Sequence, residues 1–271
     1  MGLGEGKTWY GVPAEYAGDF ERALYEVAGS EAAAAGGKTV SREHVALKAM
    51  DKDLLYQLLM VVAPSQLQAM GVQVCRTFQE AGEFVVTFPQ AYHAGFSHGL
   101  NVAEACNFST VDWLPYGRRS VERYRTSGSV ERGLCFSHEA LLGDVARHLS
   151  DHSPRVWGVI LDELQRMLAA EQSERAALAE RGTGAAVHLP NASDPRYECF
   201  QCRHICHLSA VVCRCEAVRR SRRVACMRHT AALCGCAPAQ RVLVYWAPLE
   251  ELQGLLAAVG RAVAAAAAKG V

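Results

Sequence analysis

Residues 82–118 read GEFVVTFPQAYHAGFSHGLNVAEACNFSTVDWLPYGR, and the fold class turns on how they are parsed. Phe84, Val85, Val86, Thr87 and Phe88 are aromatic or β-branched and predict a strand, which Pro89 ends by withdrawing a ladder donor. VAEACNFSTVDW, residues 102–113, reads as another strand. His93 stands between the two, close to Gly95, as a candidate metal ligand whose partners must come from elsewhere in the chain.

Upstream, KTWYGV alternates its faces as a strand does, while Ala17 to Val27 and Asp53 to Val62 carry apolar residues at helical spacing. GSEAAAAGGKTVSREH between those helices reads as an inserted loop. Downstream, Arg118 to Arg181 is helical, with Val156, Ile160, Leu161, Leu164, Met167 and Leu168 forming an apolar stripe. Gly182 to Pro190 has the composition of a linker, RVLVYW that of a strand, and Leu249 to Ala268 that of a helix whose last alanines fray. The fold class is therefore α+β. The 271 residues are half hydrophobic, enough for one large or two modest domains with a real core.

Lys plus Arg and Asp plus Glu number 28 each, so net charge does not point to nucleic acid. The most apolar tract, Leu255 to Ala268, is interrupted by Gly260 and Arg261, and no membrane span is expected. The start of the chain has neither a basic leader nor an apolar stretch of the secretory type, so disulfides are not the default reading of its eleven cysteines.

Eight of those cysteines fall within CFQCRHICHLSAVVCRCEAVRRSRRVACMRHTAALCGC, residues 199–236. Thiolates and imidazole are the ligands Zn²⁺ prefers, and four close pairs stand out: Cys199 and Cys202, Cys213 and Cys215, Cys226 and His229, Cys234 and Cys236. They suffice for two tetrahedral zinc sites, with Cys206 left over. So short a segment cannot bury enough apolar surface to fold by itself, and metal binding would supply the missing free energy. Spacing leaves open whether the pairs share metals sequentially or interleaved. Arg219, Arg220, Arg222 and Arg223 are read as offsetting thiolate charge, with contacts to phosphates or an acidic partner as the alternative.

Three stretches together carry a resemblance: GEGKTWYGVP at 4–13, the 82–118 block, and the cysteine module with LSA inside it. They are similar to the JmjC-domain histone lysine demethylases, and the C5HC2-type finger points to the JARID subfamily. The resemblance implies that residues 1–116 are the C-terminal part of a JmjC domain, a partial double-stranded β-helix of cupin type. A helical region (117–182), a linker (183–196), a two-zinc C5HC2 finger (197–247) and a C-terminal helix (248–271) would follow. It implies Fe(II) held by His-x-Glu or His-x-Asp plus a distal His matching His93, with 2-oxoglutarate bound by Lys7 beside Trp9 and the methyl-lysine end near Asn107. It further implies interleaved zinc ligation, Cys199, Cys202, Cys226 and His229 at one site and Cys213, Cys215, Cys234 and Cys236 at the other. Histone H3 methylated at lysine four, chromatin complex subunits and a nuclear location come with the family.

The chain departs from that pattern where iron is concerned. The family places His-x-Glu well upstream of the lysine, but only six residues precede Lys7, and none of the ten histidines has Asp or Glu two positions later. Ser97 stands where the subfamily has Asn, Gly6 where it has Pro, and the interval from Cys215 to Cys226 is longer than its counterpart. The expectation is an N-terminally truncated chain, inactive alone; whether it belongs to an enzyme or is a non-catalytic zinc-binding chromatin protein stays open. A cross-brace ubiquitin-ligase module is a third reading that leaves the 82–118 block without a purpose.

Overall fold

The computed structural model describes residues 2–34, 62–127, 133–190 and 197–270. Two compact units divide at Ser109 and Thr110. The helix expected at Asp53 to Val62 lies almost wholly outside the described residues.

In the first unit, strand β1 (Leu3–Gly4) pairs antiparallel with a short strand at Asn101–Val102, and β2 (Lys7–Val12) is the centre of a three-stranded sheet. Its antiparallel neighbours are β3 (Cys75–Gln79) and β4 (Tyr92–Ser97); Asn101–Val102 is β5. Alternation along KTWYGV does what period two requires: Thr8 and Val12 are buried on one face, and Lys7, Trp9 and Gly11 occupy the other. Helix α1 (Ala17–Ala34) and the short α2 (Pro64–Ala69) supply the core beside Val12, with Ala23, Leu67 and Val72 buried against Tyr92 and Phe20. Helix α1 runs on to Ala34, into the segment read as an inserted loop, because its closing alanines lose least on entering a helix.

The two strands read from 82–118 do not form as expected. Residues 84–88 make no ladder; a turn at Glu80–Glu83, with Gly82 at φ 85°, leads the chain away, and Phe84 and Phe88 are 92% and 75% exposed. Strand propensity reports fit to a half-buried pleated surface, and among the described residues no neighbouring strand offers one. Likewise only Asn101–Val102 pairs, and residues 103–110 are irregular.

In the second unit, a turn at Val111–Trp113 leads into α3 (Leu114–Ser127), followed by α4 (His138–Arg147) and the long α5 (Pro154–Glu180). Leu114, Leu142, Ile160 and Leu164 bury the predicted stripe together with Val259 of α7 (Leu249–Ala268). Ser137 caps α4, its hydroxyl accepting the Ala140 N–H at 3.1 Å. Helix α7 is long and apolar enough to cross a membrane by length and composition, contrary to the reading of Leu255 to Ala268. Its stripe of Leu252, Leu255, Leu256, Val259 and Val263 packs against the neighbouring helices, and the alanines stay helical to Ala268.

The finger carries strands β6 (Ala185–His188), β7 (Ser209–Cys213) and β8 (Arg241–Tyr245) in the order β6-β8-β7, with helix α6 at Glu216–Ser221. Residues 185–188, read as linker, pair in parallel with β8 because its edge offers backbone partners that composition does not reveal.

Candidate metal centres and a polar sheet face

Cys199 and Cys202 flank a tight turn in which the Arg203 N–H donates to the Cys199 carbonyl at 2.9 Å, with Arg203 left-handed at φ 58°. Cys226 and His229 sit on a similar turn, the His229 N–H donating to the Cys226 carbonyl at 3.0 Å. A bridge between Cys199 and Val224 brings the two turns together, so the ligand atoms of all four residues lie within 4.8 Å of one another. Cys213 ends β7, Cys215 precedes α6, and Cys234 and Cys236 precede β8; their sulfurs form a second group within the same 4.8 Å. The Arg241 guanidinium donates to the Cys234 and Cys236 carbonyls at 3.1 and 3.2 Å and fixes that turn.

Zinc fits these donors. A tetrahedral ion with Zn–S near 2.3 Å separates its sulfurs by roughly 3.8 Å and a sulfur from an imidazole nitrogen by roughly 3.6 Å. Cys202 Sγ lies 3.9 Å from Cys226 Sγ, and Cys199 Sγ lies 3.6 Å from His229 Nδ1. All eleven cysteines are free. Hydrogen bonds with the Cys202 and Cys226 thiols pull the Cys199 thiol down, and contacts with Cys199 and Cys226 push Cys202 up. Burial opposes ionisation of Cys234, but the Cys236 backbone and the Cys213 thiol outweigh it and bring Cys234 to about 7. Cys206 is buried, its thiol donates to the His204 carbonyl, and burial pushes it well above the ordinary thiol value; it belongs to neither group.

In the first unit, strand register sets a different arrangement. Trp9 pairs with Gly95 and Thr77, Lys7 with Ser97 and Gln79, and Gly11 with His93, so Lys7, Trp9, His93 and Gln79 share one sheet face. Lys7 Nζ lies 3.8 Å from the Trp9 ring centroid, and the rings of Trp9 and His93 are 6.2 Å apart. His93 Nδ1 is 3.2 Å from the Ala91 carbonyl; an oxygen can only accept, so Nδ1 is the donor in this contact and Nε2 is the nitrogen left to face a ligand. Asn107 lies in the exposed segment after β5 and has no described contact with this face.

Two supports of the face escaped sequence reasoning. Gln79, buried, accepts from the Trp9 indole at 2.9 Å and donates to the Glu83 carbonyl at 3.0 Å, which locks the indole plane. Gly95 makes room for it, since a Cβ there would lie 2.6 Å from the Thr8 carbonyl oxygen and 3.0 Å from the Trp9 ring. The glycine in AYHAGF was a visible signal; Gln79 had none.

A family model described as a JmjC domain, hydroxylase, matches residues 2–108, and a C5HC2 zinc finger model matches residues 199–255. The chain is 35% identical over 258 residues to lysine-specific demethylase 5B of Gallus gallus, covering 94% of this chain and 15% of that protein. It is 37% identical over 259 residues to the lysine-specific demethylases 5D of Homo sapiens and Pan troglodytes, covering 93% of this chain and 15% of each. The chain thus carries a JmjC segment followed by a C5HC2 finger, and over nearly all of its own length it is similar to lysine-specific demethylases of the JARID family.

Proposed function

We propose that this chain is part of a nuclear Fe(II)- and 2-oxoglutarate-dependent demethylase of lysine four on histone H3, and that its residues furnish only a portion of the catalytic centre. The observation that carries the reading is the shared sheet face of Lys7, Trp9 and His93 inside a JmjC match. The chain spans 15% of the length of the curated relatives it matches.

Lys7 suits the cofactor chemically. It is half-buried, has no carboxylate partner among the described residues, and presents a point charge beside an aromatic wall, as a dicarboxylate requires. 2-Oxoglutarate, when bound, serves such enzymes as the co-reductant for oxygen. Iron does not fit these residues alone. Among the described residues, the groups of three or more His, Cys, Asp or Glu close enough to hold a metal are the two in the finger. A single imidazole is a weak iron site, and the two further ligands of a facial triad are not offered here.

The finger is more complete, and we assign it two structural zinc ions per chain. That contrast supports a second reading, a non-catalytic zinc-binding protein of chromatin. Metal analysis and a peptide assay separate the readings. The isolated chain should carry two zinc ions and leave a methylated H3 peptide unchanged in the presence of Fe(II) and 2-oxoglutarate. A longer form with a His-x-Glu or His-x-Asp segment ahead of Lys7 should remove methyl groups, and lose that activity on Lys7→Ala or His93→Ala substitution. Chelator-sensitive turnover by the isolated chain would refute the partial centre, and an inert longer form would favour the second reading.

A further inference from the structure

Residues 214–223 of the finger read RCEAVRRSRR, five arginines against one glutamate. Arg214, Arg219, Arg220, Arg222 and Arg223 are all exposed. Buried Val218 anchors α6 to the Val211, Ala225 and Leu243 cluster, which leaves Arg219 and Arg220 on the solvent side. Arg220 pairs with Glu216; Arg214, Arg219, Arg222 and Arg223 have no ion-pair partner among the described residues. Arg214, Glu216, Arg219 and Arg220 line a shallow recess of about 600 Å³. Arg222 holds the left-handed conformation that ends α6, φ 51° and ψ 29°, where glycine would be cheaper by about 1 kcal/mol. Arg223 is held with its guanidinium carbon 5.5 Å from the Phe200 ring centroid.

Charge compensation within the finger does not account for this set. Arg241 is the arginine that donates into the turn of Cys234 and Cys236, and none of the five exposed guanidiniums has a described contact with a thiolate. Four thiolates on a zinc ion carry two net negative charges, fewer than the four net positive charges of residues 214–223.

We propose that this arginine face is a docking surface for the phosphate backbone of duplex DNA. Two observations favour DNA over an acidic protein. The guanidinium fork matches paired phosphate oxygens, and B-DNA presents one negative charge per about 1.7 Å of axis, so clustered arginines gain more there than on scattered carboxylates. A protein interface also needs buried apolar anchors, yet no large hydrophobic side chain is exposed among the described residues of 197–270. The surface would hold chromatin by its DNA without reading sequence, since phosphate contacts position and base contacts specify. This goes beyond the demethylase reading and stands or falls apart from it.

The test is anisotropy of a labelled random-sequence duplex titrated with the zinc-loaded full chain across a salt series. Four phosphate contacts give a slope of log K against log salt of about −3.6, a loss of about a hundredfold between 50 and 200 mM. R219Q/R222Q/R223Q should keep its zinc, weaken binding at least tenfold and flatten the slope by about 3, whereas the triple lysine variant should retain most of the slope. If the triple glutamine variant loses zinc, R219Q alone decides, with an expected change in slope of about 1. Equal binding by the glutamine variants, a flat salt dependence, or competition by polyglutamate as strong as that by unlabelled duplex would overturn the proposal.

Discussion

Removing the Glu174 carboxylate tests how the finger is held to its supporting helices within the second unit. Glu174 on α5 accepts from Arg125 of α3 at 2.8 Å and from Arg228, the neighbour of His229, at 2.7 Å. The Arg125 and Glu174 side chains are only 11% and 17% exposed. Burial works against the Arg125 charge, but the Glu174 carboxylate, with Cys226 and Glu139 beside it, outweighs burial and raises the guanidinium above its ordinary value. Glu174→Ala strands that cation in low dielectric, where breaking a buried pair costs about 3–5 kcal/mol. The expected loss is near the lower figure, about 3 kcal/mol, because Glu139 still acts on Arg125. By contrast Glu122→Ala removes a carboxylate that is half exposed from Arg228 and should cost about 0.2–1 kcal/mol. Arg125→Met with Glu174→Leu removes both charges and should return stability to within about 1 kcal/mol of the parent, recovering about 2 kcal/mol of the loss seen with Glu174→Ala. Urea unfolding of the zinc-loaded chain would measure this, with Trp246 emission and zinc release followed together; Trp246 stacks on Tyr197 in the finger, centroids 4.8 Å apart. A Glu174→Ala variant within about 0.5 kcal/mol of the parent would show that the pair does not hold the finger.

Three further outcomes rest on neighbouring contacts. Burial raises the Glu122 carboxyl, but Arg228 outweighs that effect and holds it below the ordinary 4.5. A depressed carboxyl contributes stability above its unfolded pKa and loses it as pH falls through the folded value. The parent should therefore lose its small advantage over Glu122→Gln only below about pH 4.5, and an advantage that grew on acidification would contradict the sign. Gly95→Ala should destabilise the first unit by about 1–3 kcal/mol and shift Trp9 emission, since the added methyl meets both the Thr8 carbonyl and the indole; an unchanged spectrum would mean that the indole is not held as described. Chelation should release two zinc ions and abolish the near-ultraviolet signal of the Tyr197–Trp246 stack, restored on zinc addition. The finger's apolar clusters contain the cysteines themselves and are too small to persist without them, so a signal that survived zinc loss would refute a metal-dependent fold.

Local chemistry written in single residue types was legible in the sequence. KTWYGV forms β2 because its alternation suits a half-buried strand, and Leu249–Ala268 forms α7 because its apolar spacing suits a packed helix. The eight paired finger residues, which the fold gathers into two clusters, could be picked out as candidate zinc donors because few other side chains offer soft ligands at such intervals. What the sequence could not determine was which segments would find partners. FVVTF has a strand's composition and no ladder, while AAVH, read as linker, pairs with β8; in both cases the free hydrogen-bonding edge of another segment decides the outcome. The sharing of ligands between pairs, the Gln79 lock on Trp9 and the Arg125–Glu174–Arg228 network likewise join residues tens of positions apart. Periodicity and spacing report what a residue does within its own element, whereas register, chain crossing and burial set which distant groups meet, and only the tertiary structure supplies those.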